Sequence, residues 1–170
     1  GYTARFVNSL IVGAASNTES SLFYAYRYGL VDILQATFVG PMSTAGVAIH
    51  FERSDGSVRN TIASTFATAI KQQEGDVAED FNLYHNVGSR VDGVVTGGAH
   101  SLTGDPLFIA PGAGDYHLGK GSAAIDAGTD MGVTHDLDRV SRPQGDGVDI
   151  GAYESMVTSE YKIYLPFTRK

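Results

Sequence analysis

The chain of 170 residues contains no cysteine and no tryptophan. The missing cysteine excludes disulfides, thiol nucleophiles and thiolate metal sites. Basic residues number 12 against 19 acidic ones, for a net charge of −7. A nucleic-acid partner calls for a concentrated basic face, and this balance argues against one. No apolar run approaches the ~18 residues of a membrane span, so no transmembrane helix is expected. No secretory leader is visible, and Gly1 stands where Met usually does, which reads as a processed product or an excised piece. The histidines His50, His85, His100, His117 and His135 are dispersed, without the close pairing that zinc sites use. There is no Gly-x-Ser-x-Gly elbow and no glycine loop of the phosphate-binding type.

The chain does hold a repeat. Four segments lead from polar or small residues into an apolar anchor: Val7-Asn8-Ser9-Leu10-Ile11, Leu34-Gln35-Ala36-Thr37-Phe38, Arg59-Asn60-Thr61-Ile62 and Asp80-Phe81-Asn82-Leu83. The anchors Ile11, Phe38, Ile62 and Leu83 are 27, 24 and 21 residues apart. A second column reads Tyr26, Ile49 and Ile70, with steps of 23 and 21. Steps of this size suit one coil of a β-solenoid, whereas an amphipathic helix would repeat every three or four positions. Turn clusters such as Gly40-Pro41-Met42-Ser43, Ser54-Asp55-Gly56 and Glu74-Gly75-Asp76 separate short β-prone runs. Residues 64–73 are compatible with a helix by composition, but Ala69-Ile70 falls on the repeat and favours a strand. Beyond Asn86 the repeat fades, and residues 87–101 read as a loop. The tail, residues 159–170, alternates polar and apolar residues and reads as an edge strand limited by Pro166.

Residues 104–154 carry Gly-Asp-Pro-Leu-Phe (104–108), Asp115-Tyr116-His117-Leu118, Gly121-Ser122-Ala123-Ala124-Ile125-Asp126-Ala127-Gly128, Asp136-Leu137-Asp138, Arg142-Pro143 and a terminal Asp149-Ile150-Gly151-Ala152-Tyr153-Glu154. In this order they resemble the choice-of-anchor Q domain, found at the C-terminal end of secreted, pectin-lyase-like β-helix proteins. The resemblance implies an all-β chain. It implies a right-handed parallel β-helix segment at residues 1–103, an irregular C-terminal cap at 104–154 and a terminal strand or tail at 155–170. It also implies an extracellular or cell-surface location. The first residues already read as a rung strand, so the N-terminal end is expected to be uncapped. Either more coils precede it, or it pairs with another copy, and head-to-tail pairing would build an open filament.

Candidate sites follow from the same residues. Asp126, Asp130, Asp136, Asp138, Asp146, Asp149 and Glu154 form an acidic group. Asp136, Asp138 and Asp149 are candidate calcium ligands, because Ca²⁺ takes about six to eight oxygens. Asp136 and Asp138, two apart, share a face if they lie on a strand. The alternative is structural. These acids accept backbone N–H bonds in turns or pair with Arg139 and Arg142, leaving Asp126, Arg142 and Glu154 as scaffolding. Arg142 is expected to hold Asp149 or Asp126, with a sugar-acid clamp as the functional alternative. Tyr24, Tyr26 and Tyr28 alternate and could stack on a glycan, or else line the coil interior or cover its open flank.

The acids could serve glycoside hydrolysis, which needs two at a defined separation. However, the Asn-Thr-Asp, Asp-Asp, Gly-His-Gly and Arg-x-Lys signatures of hydrolases with this architecture are absent. A lyase base could be imagined at Lys71, Arg53 or Arg59, but their spacing forms no constellation. The reading is therefore a non-catalytic extracellular or cell-surface structural or adhesion module. It requires no cofactor beyond possible calcium, and its partners would be cell-surface glycans or further copies of itself. Two alternatives stand beside it: a carbohydrate-active β-helix fragment, and a filament or surface-layer subunit stacking through its open N-terminal coil.

Overall fold

A computed structural model describes residues 3–13, 20–41 and 45–156. The tail read as an edge strand lies outside the described residues. Among these, the only helical element is a 3-10 turn at Pro111–Ala113, and the rest is strand, turn and irregular backbone. The fold is a parallel β-solenoid. Its first coil comprises β1 (Thr3–Val7), β2 (Leu10–Val12) and β3 (Ser21–Tyr26). The next three are β4 (Leu30–Leu34), β5 (Thr37–Val39), β6 (Val47–Glu52); β7 (Asp55–Arg59), β8 (Ile62–Ser64), β9 (Thr68–Gln73); and β10 (Val77–Asp80), β11 (Leu83–His85), β12 (Ser89–Asp92). A partial coil, β13 (Val95–Gly97) and β14 (Leu102–Thr103), follows, so residues 87–101, expected to be a loop, instead continue the winding. The antiparallel pair β15 (Phe108–Ala110) and β16 (Asp115–Leu118) comes last.

Equivalent strands stack into three parallel sheets, of order β1-β4-β7-β10-β13, β2-β5-β8-β11-β14 and β3-β6-β9-β12. The coils shorten along the chain: the partners Thr3/Leu30, Leu30/Asp55, Gly56/Val77 and Val77/Val95 lie 27, 25, 21 and 18 residues apart. Each of the first four coils turns from its first to its second strand through one residue with positive φ: Asn8, Gln35, Asn60 and Phe81, at 48°, 52°, 49° and 55°. Asparagine tolerates that left-handed conformation better than most residues, and it fills two of these corners.

Register corrects the anchor columns read from sequence. The column that faces the interior is Ile11, Phe38, Ala63 and Tyr84, all in the main core cluster. Ile62 and Leu83 belong to the neighbouring column with Leu10, Thr37 and Leu102, and they face outward. A shift of one residue in a strand exchanges its two faces. The repeat looked continuous because the outward positions are apolar too in coils three and four. The second column changes likewise: Phe23, not Tyr26, pairs with Ile49 and then Ile70.

Residues 104–154 explain the outward Ile62 and Leu83. These two form a second core cluster with Leu118, Ala124 and Ile150. The C-terminal segment therefore covers the flank of the second sheet, where an end cap was expected. It runs back along that flank towards the first coil. Gly151 N–H reaches Asn60 O at 2.8 Å, Ala152 N–H reaches Thr37 Oγ1 at 3.0 Å, and Asn8 Nδ2 donates to His135 O at 2.6 Å. Gly151 adopts φ +108°, and a Cβ there would stand 2.7 Å from Ile62 and 2.8 Å from Thr37. Gly151→Ala should therefore cost at least about 2 kcal/mol from backbone strain and overpacking, read as a lowered urea midpoint. Ile62→Ala should cost about 2–5 kcal/mol and raise the rate of proteolysis within residues 129–147. Unaltered proteolysis would contradict the flank cover.

Candidate functional site

The acidic residues of the cover occupy a buried network built on Arg142. Its guanidinium donates from Nη1 to Glu154 Oε2 at 2.6 Å and to Asp149 O at 3.2 Å, and from Nη2 to Gly151 O at 2.8 Å. Both partners of the Arg142–Glu154 ion pair have fully buried side chains. The arginine thus clamps Glu154 and two carbonyls, where Asp149 or Asp126 was expected as its carboxylate. Burial lowers the Arg142 pKa while Glu154, Asp136 and Asp149 oppose the shift, and an arginine keeps its charge throughout.

The other acids accept backbone donors. Asp136 Oδ1 takes the N–H groups of Asp138 and Val140 at 2.9 and 2.8 Å, and its Oδ2 takes that of Glu154 at 2.8 Å. Asp149 takes Asp126 N–H at 2.7 Å and Ser155 N–H at 2.6 Å. Asp126 Oδ1 takes Gly147 N–H at 2.9 Å. Asp136 and Asp138 lie in a turn, not on a strand, with Asp136 buried and Asp138 exposed, so they do not share a face. Among the described residues no three acidic or histidine side chains are grouped to hold a metal ion.

Asp138 has a different partner. His117, on β16 between the buried Tyr116 and Leu118, sets Nε2 2.8 Å from Asp138 Oδ2 and Nδ1 2.6 Å from Asp115 Oδ1. Its ring lies 4.1 Å from that of Tyr153. One imidazole ring therefore joins the β15–β16 hairpin, the loop carrying Asp138 and the last segment of the cover. Burial disfavours its charge, but the hydrogen bonds to both carboxylates outweigh this and hold its pKa above the ordinary value. The group borders an open cavity of about 410 Å³ that also touches Ile109, Leu118 and Val140.

The tyrosines sit on the opposite part of the solenoid. Tyr24 and Tyr26 point outward from β3 at 50% and 43% exposure, while Ala25 between them is buried. They therefore do not line the coil interior. Their rings stack at 5.9 Å with 22° between planes. Tyr24 lies 4.9 Å from the His50 ring and donates its hydroxyl to Glu52. Parallel register continues the two tyrosine rows along the sheet as Tyr24, His50, Lys71 and as Tyr26, Glu52, Gln73. His50 Nε2 meets Gln73 Oε1 at 3.2 Å, and burial lowers the His50 pKa more than that bond raises it. Tyr28 leaves this row; it sits in the corner after β3, its N–H on Ser54 Oγ at 3.0 Å. The third sheet thus presents a pair of aromatic rings beside neutral and charged hydrogen-bonding groups.

No protein-family model, no curated protein and no solved structure matches the chain. Sequence reasoning missed three features that order these sites. Asn60 donates to Thr129 O at 2.6 Å and accepts from Thr129 N–H at 3.0 Å, fixing the cover to a solenoid corner. The buried Glu79 accepts from Asn82, Tyr84 and Ser101 inside the fourth coil. His117 bridges two acids 23 residues apart in the chain, Asp115 and Asp138. A polar residue two or three positions before the anchor marks three of the four corners, at Asn8, Gln35 and Asn60, but nothing local signalled the other two features.

Two groups of the cover contribute a pH dependence of the same sign. Burial pushes the Asp149 carboxyl up to about 6, against the pull of the Asp126 and Ser155 N–H groups. A carboxyl raised on folding favours the native state when protonated, so its ionisation erodes stability between about pH 4 and 6. The stability that His117 gains from its carboxylates is fully present below its unfolded pKa of about 6.5 and is lost as pH rises through the elevated folded value. Their joint contribution to the melting temperature should therefore fall as pH rises from 5 to 8, while His50, whose pKa burial lowers, contributes in the opposite sense. His117→Gln should flatten the upper part of that fall, and Asp149→Asn the lower part. Glu154→Gln, which strands the Arg142 charge, should cost about 3–5 kcal/mol in denaturant titration at neutral pH.

Proposed function

We propose that this chain is a non-catalytic structural or adhesion module of the extracellular space or cell surface, of the choice-of-anchor Q, pectin-lyase-like type. The observation that carries this reading is the use of the acids in residues 126–154. Asp126, Asp136, Asp149 and Glu154 accept backbone N–H groups, and Glu154 also neutralises Arg142. A carboxylate committed in this way fastens a chain segment and is poorly placed to move protons in a reaction. The terminal Arg142-Pro143 and Asp149 to Glu154 elements, which carry the family resemblance, are the same residues that lock the cover to the solenoid. The third sheet supplies the contact surface of such a module. Tyr24 and Tyr26 offer ring faces to a sugar, and His50, Glu52 and Gln73 stand within the same two rows as hydrogen-bonding groups.

Incubation with a panel of plant, algal and bacterial polysaccharides should release no oligosaccharides, and any depolymerisation would overturn the non-catalytic reading. Affinity electrophoresis against the same panel should show retardation by at least one neutral glycan. The double change Tyr24→Ala and Tyr26→Ala should weaken it about tenfold or more, the loss expected for two stacking rings. Calcium and chelator should leave the melting temperature unchanged, because a ligand of the native state would raise it.

A further inference from the structure

The cover carries a cavity within a single stretch of chain. Residues 128–148, all of them described, run out and back as two walls. Gly128 N–H meets Val148 O at 2.7 Å at one end, and Arg142 N–H meets Thr134 O at 2.9 Å at the other. Asn60 holds the first wall to the solenoid through Thr129 N–H and Thr129 O. Between the walls lies an open cavity of about 430 Å³. Compact surface loops are usually packed by their own side chains. Here Gly128, Gly132 and Gly147 line the space, and a Cβ on Gly132 would meet nothing within 4 Å. The volume falls among those of small-molecule sites, roughly 300–1,000 Å³, and far exceeds the ~30 Å³ share of one water.

Arg142 lines this cavity, and its side chain is fully buried. Its two terminal nitrogens are committed to Glu154, Asp149 O and Gly151 O, but the buried Nε has no hydrogen-bond partner. Among the described residues it is the only buried charged group left with such an atom. An unmet donor on a buried cation is costly, and an acceptor supplied from the cavity would relieve it.

The surroundings decide the charge of that acceptor. Glu154, Asp136 and Asp149 already act on the one guanidinium, and Asp130 stands on the cavity wall. This excess of negative charge opposes a carboxylate, sulfate or phosphate. A metal ion lacks ligands, since no three acidic or histidine side chains are grouped among the described residues. A neutral hydroxyl fits, because it accepts from Nε–H and can donate to a carboxylate or a loop carbonyl. Val133, Pro143 and Val148 make part of the lining apolar. Hydroxyl groups on one side and C–H groups on another describe a sugar ring. We propose that the cavity between residues 128–134 and 142–148 is a binding site for one neutral pyranose, with Arg142 Nε as its buried donor. The site stands on the cover and is independent of the tyrosine rows on the third sheet.

Nuclear magnetic resonance titration of the isotopically labelled 170-residue chain tests this. The probes are glucose, galactose, mannose and N-acetylglucosamine, with glucuronate as the charged counterpart. A ligand of about a dozen non-hydrogen atoms, at ordinary efficiency, has a dissociation constant of about 1–5 mM. At least one neutral sugar should shift the Arg142 Nε–H resonance and the backbone N–H resonances of Thr129, Gly132 and Thr134, saturating in that range. Glucuronate should bind about tenfold more weakly or not at all. Val133→Trp, which fills the cavity, should abolish the response while the melting temperature is kept. Thr134→Trp, at an exposed position on the same wall, is a second filling variant. Unshifted spectra with all four neutral sugars at about 50 mM, ten times the weakest expected constant, overturn the proposal. So does glucuronate binding as tightly as the neutral sugars, the mark of an anion site. An Arg142 response that survives in both tryptophan variants overturns it as well. Shifts confined to the surroundings of Tyr24 and Tyr26 would overturn this site and leave the third-sheet reading standing.

Discussion

Parallel hydrogen-bond ladders between coils govern the rest of this structure, because no coil can bury its interior alone. Phe38, Ile49 and Phe51 are fully buried only through the coils on either side. The ladder fixes which residue of one coil lies over which residue of the next, and so divides each strand into an inward and an outward face. Where coils differ in length the corners absorb the change, while the left-handed residues Asn8, Gln35, Asn60 and Phe81 keep the first turn of each coil aligned. Solenoid stability is then close to a sum over neighbouring coils, and the two ends become the places where something else must intervene.

The flank shows what intervention looks like when outward positions are apolar. Ile62 and Leu83 would expose a greasy strip on the second sheet, and residues 104–154 cover it. That cover contains little regular structure, so its backbone groups need partners from side chains. Asp126, Asp136, Asp149 and Glu154 supply them, and Arg142 balances the buried charge. A buried ion pair is weak evidence for added stability, since an apolar replacement can do as well. Its value here is geometric: one guanidinium holds Glu154 and the carbonyls of Asp149 and Gly151 in a single arrangement. Acidic density in this segment therefore matches the irregular backbone's need for acceptors.

Two aromatic surfaces stand away from the cover. The third sheet carries Tyr24 and Tyr26 above a regular lattice of polar side chains, and the amino-terminal end carries an apolar recess with aromatic rims. Neither depends on the cover. His117 adds a pH-sensitive link to the cover, because one titratable ring meets both Asp115 and Asp138.

Much of the architecture was legible in the chain itself. Repeating polar-to-apolar steps with turn clusters between them identify stacked coils, because a coil of this size needs an inward apolar residue on each short strand. The strand at β9 was readable in the same way. Sequence alone could not choose between Ile62 and Ala63, or between Tyr26 and Phe23, as members of the interior column. Both faces of these strands hold apolar residues, and a two-residue period has no internal mark for in and out. Nor could it tell an end cap from a flank cover, or find Glu154 as the partner of Arg142. Those outcomes depend on contacts between segments far apart in the chain, such as Asn8 with His135, whose geometry exists only once the coils have stacked.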